Sequence, residues 1–93
     1  MNLSQEPTSV EEAAFMLEGE LAESEKAKIA AFEDEGALHI LHFTLGVFVR
    51  NHFRLWSEES QLMKNARMWA QPDAVSDDII RALWRNLRAK STH

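Results

Sequence analysis

The chain has 93 residues, 45% hydrophobic and 27% charged, with a net charge of −5 and no cysteine. This describes one small globular domain with room for a single core, and it excludes a disulfide framework and thiol chemistry. The longest nearly uncharged run, Gly36 to Val49, is shorter than the roughly 20 residues of a membrane helix, and the start MNLSQEPTSVEE has no basic region followed by an apolar one, so neither a span nor a signal peptide is expected.

Residues 1–8 contain Pro7 and show no periodicity, so they read as a tail. One helical domain is expected over 9–88, and 89–93 read as a frayed end. Ser9 and Glu12 are spaced for a capping box, and Glu11 and Glu12 suit the positive end of a helix dipole. Ala13, Ala14, Phe15, Met16 and Leu17 follow, and Gly19 is expected to end this short helix. A second helix is expected from Glu20 to Phe32, with a thin apolar face of Leu21, Ile29 and Phe32; a start at Ser24 fits as well. Glu33-Asp34-Glu35-Gly36 is an acidic break.

The third element is the most apolar stretch, HILHFTLGVFVRNHFRLW, from His39 to Trp56. At about 100° per residue, Leu38, Leu41, Leu45, Phe48, His52 and Leu55 share one face, spaced as a helix-packing seam. One helix is therefore predicted over about 35–54. Ile40, Phe43, Val47 and Phe53 lie on its other faces, and a helix apolar nearly all round is expected to be surrounded by other elements. β-Branched Ile40, Thr44, Val47 and Val49 weaken its helical propensity slightly.

Ser57 to Ser60 can cap a fourth helix with Leu62, Met63, Ala66 and Met68 or Trp69 on one side. Pro72 ends it, because the residue before proline disfavours the helical region. Asp73 or Ser76 is expected to cap the last helix, with Asp77 and Asp78 in its first turn. Ile79, Ile80, Leu83, Trp84 and Leu87 form its apolar stripe, with Arg81, Arg85 and Arg88 on another face. The fold class is all-α: a single bundle of four to five helices around the helix at 35–54.

Residues His42-Phe43-x-Leu45-Gly46-x-x-x-Arg50-Asn51-x-Phe53-x-Leu55-Trp56, then Pro72-Asp73-x-x-Ser76-x-x-Ile79-Ile80-x-x-Leu83-Trp84, resemble the core of a small domain family of unknown function found in bacteria and phages. The resemblance covers about Ser9 to Leu87. The chain departs from the family pattern at Arg54, where glycine is usual, at Phe48, where tryptophan is common, and at Gln71, where histidine often stands. The resemblance implies a fold and no established activity.

His42, Gly46 and Arg50 share one side of the predicted third helix. Gly46 costs about 1 kcal/mol in a helix relative to alanine, which points to close approach of another backbone or a ligand. A guanidinium on a mostly buried helix needs a carboxylate or several carbonyls. Asp73 is the expected partner of Arg50, with Asp77 or an N-terminal glutamate behind it, and Ser76 and Asn51 complete the candidate set. A buried Arg50 bonded to Asp73 favours a scaffold; an open pocket beside it favours a ligand site. Trp56, Trp69 and Trp84 read as core anchors, with Trp69 the most exposed, and Trp69, Arg81, Arg85 and Arg88 are candidate contact residues.

His39 and His42 are spaced to chelate, but no HExxH, second histidine pair or cysteine set accompanies them. No nucleophile elbow or phosphate-cradling glycine loop is present. No metal, cofactor or catalytic activity is therefore expected. Residues 1–46 hold ten acidic and two basic side chains, and 47–93 hold five acidic and eight basic. Attraction between these halves within the fold is the plain expectation, and net −5 disfavours nucleic-acid binding. The expected function is a cytoplasmic, non-enzymatic protein-interaction module, with homo-oligomerisation left open. The alternatives are a small-ligand or anion site at His42, Arg50 and Asp73, and an acidic inhibitor imitating nucleic acid. The last requires Glu18, Glu25, Glu33 and Asp34 in one exposed strip.

Overall fold

The longest regular element is the C-terminal helix, and the rest of the chain is laid against it. The computed structural model describes residues 7–57, 60–66 and 71–91. These form α1 (Val10–Glu20), α2 (Glu23–Ala30), a 3-10 segment (Glu35–Leu41), α3 (Leu45–His52), α4 (Gln61–Ala66) and α5 (Pro72–Ser91). All of the regular structure among them is helical. No helix among the described residues is long and apolar enough to cross a membrane.

α1 starts where Ser9 accepts the Glu12 amide through its side chain at 3.0 Å. The reciprocal half of the expected box shifts by one residue: the Glu12 carboxylate accepts the Thr8 amide at 2.7 Å. Gly19 lies inside the helix and not at its end. Its φ is not positive, and the chain leaves α1 only at Leu21, in extended conformation. Ala13, Ala14 and Leu17 are fully buried, and the small size of the two alanines lets α1 come close to α5. α2 is correspondingly shorter than the 20–32 expectation.

α5 begins with Pro72 in its first turn, where fixed φ and the missing N–H suit a helix start. The expected caps Asp73 and Ser76 are therefore both inside the helix. Asp73 lies in the first turn, favourable to the dipole, and Ser76 donates back to the Asp73 carbonyl at 2.9 Å. Val75, Ile79, Ile80, Leu83 and Leu87 are buried, so the predicted stripe is the core face. The end expected to fray at 89 stays helical through Ser91, and Lys90 there pairs with buried Glu18 on α1.

The single helix expected over 35–54 is broken. The 3-10 segment starts at Asp34, which caps Ala37 at 3.0 Å. Its i→i−3 bonding persists through His42 and Thr44; the four-residue pattern begins only with Phe48 donating to Thr44. The apolar spacing of the stretch is compatible with either winding, and the β-branched residues there lower the helical propensity. Consequently this stretch is not the centre of the bundle. α5 is: it packs against α1, α2, the 3-10 segment, α3 and α4. Gly46 and Val49 face inward, whereas Ile40, Phe43, Val47 and Phe48 are exposed, Phe43 by 81%.

α3 closes in a Schellman motif. The Leu55 amide reaches the Arg50 carbonyl at 3.0 Å and the Arg54 amide reaches Asn51 at 3.3 Å. Arg54 sits at φ 53°, the left-handed region. Trp56, expected in the core, is 59% exposed just past this turn. Ser60 caps α4 by accepting the Met63 amide at 3.2 Å, and Leu62 is buried. Met68 and Trp69 lie outside the described residues.

Candidate functional site

The break in the third element brings the predicted site residues onto the head of α5. From the turn after the 3-10 segment, His42 Nδ1 donates to Asp77 at 3.1 Å, with its Nε2 3.7 Å from an Asp73 carboxylate oxygen. From α3, Arg50 donates through Nη1 to Ser76 Oγ at 3.0 Å, and its Nε lies 3.4 Å from Asp73 Oδ1. Ser76 is fully buried, the Arg50 side chain is 13% exposed and the Asp73 side chain 64%. The expected partner of Arg50 is thus present, but Ser76 provides the better-placed acceptor, and Asp77 serves His42.

Gly46 lies where these groups converge. A Cβ built there would meet Arg50 Nη1 at 3.2 Å, the Leu41 carbonyl at 3.6 Å and Ser76 Oγ at 3.8 Å. Its missing side chain therefore lets the guanidinium cross α3 to reach α5. Asn51 does not join the cluster; it is exposed. His39 turns away as well, its Nδ1 2.8 Å from the Gly36 carbonyl. Among the described residues no group of three or more His, Asp or Glu side chains is arranged to hold a metal ion. Two carboxylates, an imidazole and a guanidinium here satisfy one another, and the result ties α3 and the preceding turn to the first two turns of α5.

The basic face of α5 is likewise engaged within the fold. Arg85 and Arg81 reach Glu35, and Arg81 also pairs with Asp78. Arg88 Nη1 donates to the carbonyls of Ala30 at 3.0 Å and Phe32 at 2.7 Å, joined by Trp84 Nε1 to Phe32 at 2.9 Å. Ala30 is the last residue of α2 and Phe32 lies two residues beyond it, so α5 fastens the C-terminal end of α2 and the chain leaving it. Glu18 is buried against Lys90 and so is not part of an exposed acidic strip.

A second feature was not among the predicted site residues. α2 and α3 stand apart over a groove of about 350 Å³, lined by Leu21, Ile29, Phe32, Leu41, Leu45 and Phe48, with Thr44, Glu25 and Lys28 at its edge. Phe48 is 42% exposed and Val47 beside it 41%. At one end His52 stacks on Phe48, with ring centroids 5.2 Å apart, and its Nε2 lies 2.9 Å from Glu20 Oε1. The groove's lining from the third element, Leu41, Leu45 and Phe48, is the packing seam itself; the spacing marks that face as apolar but does not say that the fold leaves it partly uncovered.

A family model described as a domain of unknown function (DUF6794) matches residues 6–87. Neither a curated protein nor a solved structure matches the chain.

Proposed function

We propose that this chain, which belongs to the DUF6794 family of domains of unknown function, is a non-enzymatic helical interaction module of the cytoplasm, binding another protein over the groove between α2 and α3. One observation carries the reading: four large apolar side chains, Ile40, Phe43, Val47 and Phe48, are exposed along one short stretch beside an apolar groove. Scattered surface hydrophobics need no explanation, but several on one short stretch of chain that also walls a preformed groove through Phe48 have the makeup of a docking face. The cysteine-free composition suits a reducing compartment.

In this reading the cluster at the head of α5 is a latch that holds the docking face in place. Arg50 already donates to Ser76 and His42 to Asp77, so a small anion would have to displace bonds the fold has made. Imitation of nucleic acid draws no support from Glu18, whose carboxylate is engaged by Lys90.

Affinity capture with the full chain, repeated with Phe43→Ser and Phe48→Ser, tests the reading. A defined protein is expected to be retained by the parent chain and lost from Phe48→Ser, with helical circular dichroism unchanged. Retention of the same proteins by both variants overturns it. Loss on Arg50→Ala alone, with helicity intact, moves the site to the head of α5.

A further inference from the structure

We infer that the groove between α2 and α3 is covered by the same face of a second copy of this chain, in a twofold-symmetric dimer. The inference rests on the interaction reading above and names the partner.

The rim of the groove argues for it. Glu25 and Lys28 both line the groove from α2, one turn apart. Their carboxylate and ammonium are 3.8 Å from each other, and the side chains are 55% and 75% exposed. Such a pair is only weakly engaged and stays available to a partner. Of the residues that line the groove one is acidic and one basic, in the order acid then base along α2. A uniformly basic or acidic partner is repelled by half of it. A second copy running antiparallel sets its Lys28 against Glu25 and its Glu25 against Lys28, so one contact is made twice.

The apolar surface has the same self-complementarity. At about 100° per residue Val47 lies beside Phe48 on the solvent side of α3, and Phe48 also forms the groove wall. Each copy therefore presents both a protruding apolar edge and a groove of about 350 Å³, a space sized for side chains and not for a folded element. A twofold axis lets each edge enter the other groove. The face is small beside standard interfaces, which bury about 800 Å² per partner, so a reversible dimer with a Kd of roughly 10–100 µM is expected.

Sedimentation equilibrium of the full chain over roughly 10–500 µM spans that range and tests the inference. The parent chain is expected to associate reversibly to a dimer. Glu25→Lys and Lys28→Glu are each expected to weaken dimerisation by roughly fivefold to tenfold, since each sets like charges opposite one another twice. An equimolar mixture of these two variants is expected to restore it as a heterodimer. Both positions are exposed, so the variants keep the fold, checked by circular dichroism. A parent chain that stays monomeric throughout overturns the inference, as does association indifferent to the charge changes. A monomeric chain that still captures another protein through Phe48 leaves the wider interaction reading standing and removes only the dimer.

Discussion

Arg50 and Ser76 are joined across the contact between α3 and α5 by a 3.0 Å hydrogen bond, and the two residues depend on it unequally. Ser76 also donates to the Asp73 carbonyl, and Asp73 is open to water. The guanidinium is largely buried and loses a close acceptor if Ser76 goes. Ser76→Ala is therefore expected to destabilise by about 1–2 kcal/mol, the cost of an under-bonded buried donor. Arg50→Met, which keeps the stem and removes the charge, is expected to cost less than about 1 kcal/mol. Urea unfolding of both variants measures this. The reverse order would show that the Arg50 charge itself holds the joint.

Gly46 extends the argument to a pair of substitutions. Gly46→Ala gains about 1 kcal/mol of helix propensity, but its methyl lands 3.2 Å from Arg50 Nη1, with Ser76 Oγ and the Leu41 carbonyl also nearby. Arg50 can yield only by lengthening its bond to Ser76. In the parent chain the substitution is expected to be destabilising, by about 0.5–1 kcal/mol. In an Arg50→Met background the guanidinium is gone, and it is expected to be stabilising by a similar amount. A double-mutant cycle by urea unfolding reads the change of sign; equal effects in both backgrounds would mean that Arg50 does not explain this glycine.

Arg54 explains a departure visible in the sequence. It occupies the left-handed position of the Schellman turn after α3, with φ 53°, where the resembled pattern carries glycine. An L-residue there costs roughly 1–2 kcal/mol, and the extra chain entropy of glycine returns about 0.5–1 kcal/mol of that. Arg54→Gly is expected to stabilise by about 0.5–1 kcal/mol, seen as a higher urea midpoint with an unchanged slope. A lower midpoint would mean that the arginine side chain makes up for its backbone.

These residues also show what the sequence made legible. The α5 stripe was readable because Ile79, Ile80, Leu83 and Leu87 repeat at helical spacing over a long helix, and Ser9 because a cap is a local motif. The meeting of His42, Gly46 and Arg50 with Asp73 and Ser76 was legible through the two paired motifs of the resembled family and through the need of a buried Arg50 for an acceptor. The break at 42–44 was not, because Leu38, Leu41 and Leu45 keep one face under either i→i−3 or i→i−4 winding. Nor was the exposure of Phe43 and Trp56. Apolarity says that a side chain prefers cover, but not whether this chain provides it. α5 starts ahead of both expected caps because proline, which disfavours a helix before it, suits the first turn of the next.

The cap that α5 lends to α2 gives the last prediction. α2 is eight residues long, too short to be stable alone. Its last carbonyl, Ala30, is held by Arg88, and the Phe32 carbonyl just beyond it by Arg88 and Trp84. Arg88→Met keeps an apolar stem against the Trp84 ring, which the guanidinium carbon approaches to 5.4 Å from the centroid, but it removes the donor to both carbonyls. The amides of Lys26 to Ala30 are expected to lose roughly tenfold in hydrogen-exchange protection, about 1.4 kcal/mol of local opening, while those of α1 change little. Trp84→Phe removes only one of the two donors to Phe32 and is expected to have a smaller effect on the same amides. Since α2 forms one wall of the groove through Leu21, Ile29 and Phe32, Arg88→Met should also weaken whatever binds there, without touching the partner. Uniform loss of protection across α1 and α2 would instead make Arg88 a support of the whole bundle, and the cap would not be a separable device.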